Sequence, residues 1–191
     1  MSVTSSIRSI SPAKLTGAFR HHQSDELATV YVGHRHLLER SPNIFAFGEE
    51  LHEAIDAHNR EGWCKPCVYP YVAALREWLS ERGVVDLLTE WGYDSRNCLP
   101  GGRLDALLLD GPTRRGVLEV KATTDDGMSA RPEHVCQLGG YLALQSAWDG
   151  NTASAQWGLL AYALPRSGCW KLHVFHDVRN LVRPAAKLLA A

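Results

Sequence analysis

The chain has 191 residues, of which 45% are hydrophobic and 21% charged, and its net charge is −1. That length suits one domain with a sizeable core and is short for two. The balance of charge excludes a global basic field as the basis of nucleic-acid binding, so any such binding must come from a local patch or from bound metal. No apolar run approaches the length of a membrane span, which argues against a membrane protein. The start, MSVTSSIRSISPAKL, lacks the continuous apolar core of a signal peptide. Five cysteines (Cys64, Cys67, Cys98, Cys136, Cys169), an odd number at irregular spacing, argue for reduced thiols and not a secreted disulfide framework. A cytoplasmic location is expected.

Residues 1–25, Ser-rich with Pro12 and Gly17, read as an irregular N-terminal arm, and 26–191 as a single domain. ATVYVG (28–33) has the β-branched and aromatic character of a short edge strand. His34 and His36 share a face if that strand continues, which suits either a metal pair or a surface position. FAFGEELHEAIDAHNREG (45–62) predicts a helix, with Leu51, Ala54, Ile55 and His58 at helical spacing. His52 borders that stripe, with Glu49 and Asp56 near the same face, and reads first as a half-buried histidine with a carboxylate partner. Cys64 and Cys67 form a CxxC without a second pair, so two unrelated thiols is the plainer reading. A structural zinc site using His34, His36, Cys64 and Cys67 is the alternative.

VYPYVAALREWLSERG (68–83) predicts an amphipathic helix burying Tyr71, Ala74, Leu75, Trp78 and Leu79, ended by Gly83. VVDLLTEWGYD (84–94) predicts a strand running to a turn. Its Trp91 and Tyr93 alternate onto one face and suit packing against a helix or stacking on a nucleotide. GRLDALLLD (102–110) predicts a strand with Leu104, Ala106 and Leu108 on one face and Arg103, Asp105, Leu107 and Leu109 on the other. Asp110, Gly111 and Pro112 supply turn chemistry, and GVLEVKAT returns as a second strand. In it Glu119 and Lys121 point one way and Leu118 and Val120 the other.

PEHVCQLGGYLALQSAW (132–148) predicts a helix opened by Pro132, with Val135, Leu138 and Leu142 toward the core. His134, Gln137, Tyr141 and Gln145 form a polar stripe that faces either solvent or a site. Two further strands (TASAQWGLLAYAL and CWKLHVFH) and a closing helix around Pro184 complete the chain.

A carboxylate and an ammonium on the polar face of a buried strand are costly unless they act. Asp105 and Glu119 on adjacent strands can share one or two Mg²⁺ or Mn²⁺ ions, hard cations that prefer carboxylate and carbonyl oxygens. The Val120 carbonyl lies between Glu119 and Lys121 as a further ligand. Lys121 can hold a nucleophilic water or stabilise a phosphate in the transition state. His52 would add a nitrogen ligand, favouring Mn²⁺ alongside Mg²⁺. For Glu119 and Lys121 taken alone, a surface salt bridge on an edge strand remains open.

Four segments in order resemble the PD-(D/E)XK nucleases, in the RecB-like, phage-exonuclease-like branch. GEELHEAID (48–56) resembles the G-x-x-x-H helix of that branch, GGRLDALL (101–108) its G-x-x-D strand, GVLEVKAT (116–123) its acidic-x-Lys strand, and QLGGY (137–141) its Q-x-x-x-Y helix. The resemblance covers 46–145. It implies an α/β fold with a central mixed β-sheet flanked by helices, a restriction-endonuclease-like core. It implies His52, Asp105 and Glu119 as metal ligands, Lys121 as the catalytic lysine, and Gln137 and Tyr141 as residues orienting the site. Leu104 stands where the family name has proline. Some relatives carry a four-cysteine iron–sulfur cluster, but only Cys169 follows the core helix here, so no cluster is expected.

The activity so implied is metal-dependent hydrolysis of DNA phosphodiester bonds, by an exonuclease of phage recombination or repair type. Phosphate contacts would come from Arg103, Arg114, Arg115 and Arg131. An endonuclease on the same core and a catalytically silent nucleic-acid-binding module are the rivals. Polarity depends on how the protein surrounds a DNA end, often by oligomerisation, so a homo-oligomer stays open.

Overall fold

The structure is a computed structural model that describes residues 2–20, 22–32, 43–61, 67–111, 115–124, 129–148 and 156–190, the side chains of 58–61 excepted. His34, His36, Cys64, Pro112 and Arg114, all singled out in the sequence, lie outside the described residues.

The Ser-rich start is not an irregular arm. Ser2 and Ser5 cap each other reciprocally, each side-chain oxygen accepting the other's backbone N–H, and open α1 (Val3–Ser9). Ser11 caps α2 (Pro12–Phe19), with Pro12 in its first turn. Val3, Ile7, Leu15 and Phe19 are buried, so these helices are held by packing despite their shortness. Three of the serines that suggested an irregular arm, Ser2, Ser5 and Ser11, are the caps.

β1 (Glu26–Tyr31) is the expected edge strand, alternating between half-buried and exposed residues. α3 (Ile44–Glu61) begins where Asn43 Oδ1 accepts the Phe45 N–H at 2.7 Å, and α4 (Tyr69–Glu81) follows. The expected single strand over 84–94 is two, β2 (Asp86–Thr89) and β3 (Gly92–Tyr93), separated by Glu90 at φ +52°. The strand expected over 102–110 is also broken, into β4 (Gly102–Arg103) and β5 (Ala106–Leu109). β6 (Arg115–Ala122), α5 (Pro132–Trp148), β7 (Trp157–Leu164), β8 (Cys169–Phe175) and α6 (Arg179–Leu189, containing Pro184) complete the chain.

The fold is α/β. Its six-stranded mixed sheet has the order β1-β8-β7-β6-β5-β2, and β3 and β4 form a separate ribbon. Only β6 and β7 run parallel, joined through α5; the other pairs are antiparallel. Every residue of β7 is buried, as a central strand covered on both faces requires. On one face α3 and α4 bring Phe47, Leu51, Leu75 and Leu79 against Leu118, Val120, Ala161 and Leu172. On the other, α1, α2, α5 and α6 pack Val3, Leu15, Leu138 and Leu181 against Leu107, Val117, Leu160 and Tyr162. Among the described residues no helix is long and apolar enough to cross a membrane.

Candidate metal centre

The centre lies where the sheet opens between β5 and β6. Their ladder runs from Leu109 opposite Arg115 to Ala106 opposite Leu118 and stops there. The expected alternation of β5 fails at the same point, because Leu104 turns into the core layer of Leu107 and not that of Ala106 and Leu108. Asp105, freed from the ladder, accepts the Val120 N–H on its Oδ2 at 2.6 Å. A side chain thus takes the donor that the next rung would have used. The Val120 carbonyl lies on the same edge, since both backbone groups of one residue face the same antiparallel neighbour. The break in β2–β3 is the counterpart: Glu90 N–H donates to Asp105 O and Leu104 N–H to Trp91 O, each at 3.1 Å. Two kinked strands are therefore stitched together at the level of the site.

His52 reaches this point from α3. Gly48, one turn before it, faces β6; a Cβ there would meet Ala122 Cβ at 3.4 Å, an ordinary contact. Asp56, one turn beyond, accepts from Thr89 Oγ1 at 2.6 Å and ties the helix to β2. The partner of His52 is not Glu49 or Asp56, as helical spacing suggested, but Asp105, with Nδ1 and Oδ1 3.2 Å apart. Burial disfavours the His52 imidazolium, but the hydrogen bond and charge of Asp105 outweigh it and hold the pKa above its ordinary value. Burial likewise pushes Asp105 up, and His52, Lys121 and the Val120 N–H together bring it below the usual carboxylate range.

Among the described residues, one group of potential ligand atoms lies within 4.8 Å of one another: those of His52, Glu90 and Asp105. Glu90 was not anticipated. Its only sequence signal is an acidic residue interrupting the apolar pattern of 84–94, and the left-handed backbone that aims it is invisible before folding. Arg103 donates to Glu90 Oε2 at 3.1 Å.

Glu119 and Lys121 share a side of β6, as alternation required, and Lys121 Nζ donates to Glu119 Oε1. Glu119 is 1% exposed, so the pair is not a surface salt bridge. Its second oxygen is buried and has no hydrogen-bond partner among the described residues. Burial, and then the charge of Asp105, push the Glu119 carboxyl up to about 7 against the pull of Lys121. Burial opposes the Lys121 charge, but Glu119 and Asp105 more than offset it, so the ammonium is held above the ordinary lysine value.

The polar stripe of α5 faces inward. Gln137 Nε2 donates to Thr4 Oγ1 at 3.2 Å and to Tyr141 Oη at 3.4 Å. Burial, followed by the Glu119 charge, raises the Tyr141 phenol. Gly102 leaves room for that ring: a Cβ there would lie 2.8 Å from Tyr141 Cε1. Tyr162 Oη accepts the Arg131 N–H at 3.1 Å and shares a hydrogen bond with His134 Nδ1, 2.8 Å away. Burial and the charges of Lys121 and Arg131 hold His134 neutral, its pKa brought down to about 3.

A groove of about 1200 Å³ joins these parts, lined by His52, Glu90, Lys121, Gln137, His134 and Arg131 together with Thr4 and Arg8 from α1. Thr4 and Arg8 carry no signal in the sequence, because a helix of seven residues shows little periodicity. Of the arginines expected to contact phosphate, Arg131 lines this groove. Arg103 and Arg115 line a separate cavity beside it.

One imidazole and two carboxylates within reach of one another, with a third carboxylate oxygen buried and unpartnered nearby, fit a divalent cation. No family model matches the chain, and no curated protein matches it. A solved structure titled "Crystal structure of SSO0001" is similar at 18% identity and a TM-score of 0.45, over 98% of this chain and 74% of the other.

Proposed function

We propose that this chain is a divalent-metal-dependent deoxyribonuclease of the PD-(D/E)XK superfamily, on a restriction-endonuclease-like core, acting as an exonuclease of recombination or repair type. The observation that carries the reading is convergence. Residues far apart in the chain, His52, Asp105, Glu119 and Lys121, interact at one opening of the sheet, and each lies in a segment that resembles a motif of the RecB-like branch. His52, Asp105 and Glu90 would hold the ion, Mg²⁺ or Mn²⁺, with Glu119 and the Val120 carbonyl offering further oxygens. When bound, such an ion polarises the phosphate and activates water.

The protein's own groups do the rest. Lys121, kept protonated by Glu119 and Asp105, presents a fixed positive charge to the extra negative charge that develops on phosphorus in the transition state. The raised pKa suits that electrostatic role. Asp105 keeps the opening in shape by holding the Val120 N–H. Gln137 and Thr4 wall the groove, with Tyr141 buried and accepting from Gln137, and Arg131 and Arg8 supply positive charge for the strand's phosphates without reading bases.

Digestion of end-labelled linear, circular and single-stranded DNA with Mg²⁺ and with Mn²⁺ tests this. Loss of linear but not circular substrate is the expected result. Cleavage of circles would replace exonuclease by endonuclease, and intact DNA under every condition would end the nuclease reading.

A further inference from the structure

A cavity of about 790 Å³ between the β3–β4 ribbon and the strands and helix beside it (Leu88, Leu107, Leu109, Gln145) has no part in the metal centre. Trp91, Tyr93 and Trp148 line it together with Arg103, Arg115 and Asp94. Trp91 is 43% exposed and Trp148 41%, so two large rings stand in solvent at its walls. Trp148 is held in place: Tyr93 lies 6.2 Å from it, the Arg96 guanidinium 4.9 Å from the same ring, and Trp148 Nε1 donates to Asp94 O at 3.4 Å. The cavity adjoins the centre directly. Trp91 follows Glu90 in the chain, and Arg103, which lines the cavity, donates to the Glu90 carboxylate.

We propose that this cavity receives an unpaired nucleotide of the substrate strand, its base stacking on Trp91 and Trp148 and its phosphate facing Arg103 and Arg115. The inference rests on the nuclease reading, since that reading is what brings a strand to Glu90. The chemistry fits that occupant. Aromatic rings beside cations bind bases irrespective of sequence, and the volume lies in the range of nucleotide-sized ligand sites. Two arginines against one aspartate give the lining a net positive charge that suits a phosphate, and the bond of Arg103 to Glu90 ties the cavity to the metal centre, where the nuclease reading brings a strand. The substrate class so assigned is DNA with a single-stranded end.

The test is anisotropy titration of the full chain with labelled duplexes, blunt or carrying a short single-stranded overhang, in chelator so that nothing is cut. The wild type is expected to bind the overhang duplex more tightly. Trp91→Ala and Trp148→Ala should each weaken overhang binding by about tenfold or more and leave blunt-duplex binding unchanged. Trp91→Phe should restore most of the loss, and an unchanged thermal shift on adding Mn²⁺ shows that each variant is folded. Wild-type overhang affinity in both alanine variants overturns the proposal and makes the exposed rings a protein-contact surface instead. The two readings fail separately. Tryptophan-dependent overhang binding by a chain that cuts no DNA sinks the nuclease and keeps the cavity; DNA cleavage with tryptophan-independent binding does the reverse.

Discussion

Replacing Glu119 by glutamine should stabilise the metal-free protein. Glu119 is 1% exposed, one of its oxygens has no partner, and Asp105 repels its charge. Its carboxyl is pushed from 4.5 up to about 7, and at about 1.4 kcal/mol per unit the ionised form costs the fold about 3 kcal/mol above neutral pH. The E119Q variant would lose the attraction of Lys121 and bury an amide, which leaves a net gain of about 2 kcal/mol, or about 4–8 °C in Tm for a chain of this size. The sign depends on pH. Because the folded pKa is raised, the native state holds a proton between 4.5 and about 7 that the unfolded state has released, so wild-type stability attributable to Glu119 falls as pH rises through that window. The advantage of E119Q should therefore be small near about pH 5 and full near about pH 8. Urea unfolding of both proteins in chelator at the two pH values measures it. A variant less stable than wild type at the higher pH would refute the reasoning. Adding Mn²⁺ should reverse the order, stabilising the wild type more than the variant.

Glu90→Gly should relieve the left-handed backbone at φ +52° by about 1 kcal/mol while weakening Mn²⁺ binding, read by unfolding in chelator and by calorimetry. Asp105→Ala leaves the Val120 N–H without its acceptor and should cost about 1–3 kcal/mol in denaturant unfolding, beyond any loss of metal. Thr4→Val removes the acceptor of Gln137 Nε2 and should lower stability by about 1 kcal/mol and reduce cleavage, because the groove wall loosens. The His134 pKa, brought down to about 3, means that the unfolded state takes up a proton the native state refuses. His134→Gln should accordingly lose less stability than wild type as pH falls below 6.5, the difference growing by up to about 1.4 kcal/mol per unit.

Local periodicity reported the helices well. Leu51, Ala54 and Ile55 are buried on α3 and Tyr71, Leu75, Trp78 and Leu79 on α4, as their spacing required. Strand alternation placed Glu119 and Lys121 together, and the structure pairs them. The failures have one physical origin, contacts between residues distant in sequence. The strands through Glu90 and Asp105 look continuous by pattern, yet each breaks where its backbone bonds to the other. That break turns Leu104 into the opposite core layer, frees Asp105 to hold the Val120 N–H, and brings Glu90 to His52 and Asp105. Helical spacing gave His52 a carboxylate partner on its own helix, but tertiary placement supplied Asp105. The first turns of the chain were misread because short Ser-capped helices depend on docking, and Val3 and Leu15 find their partners on α5 and α6 only in the fold.

The central claim is that the opening between β5 and β6 hydrolyses phosphodiester bonds with a bound divalent ion. The most direct test is single-turnover cleavage of end-labelled linear DNA by the wild type, Asp105→Ala and Lys121→Ala, with Mn²⁺ and with chelator. The account predicts Mn²⁺-dependent cleavage by the wild type, none in chelator, and a loss of about a hundredfold or more in each variant. Cleavage by either variant at the wild-type rate would contradict it.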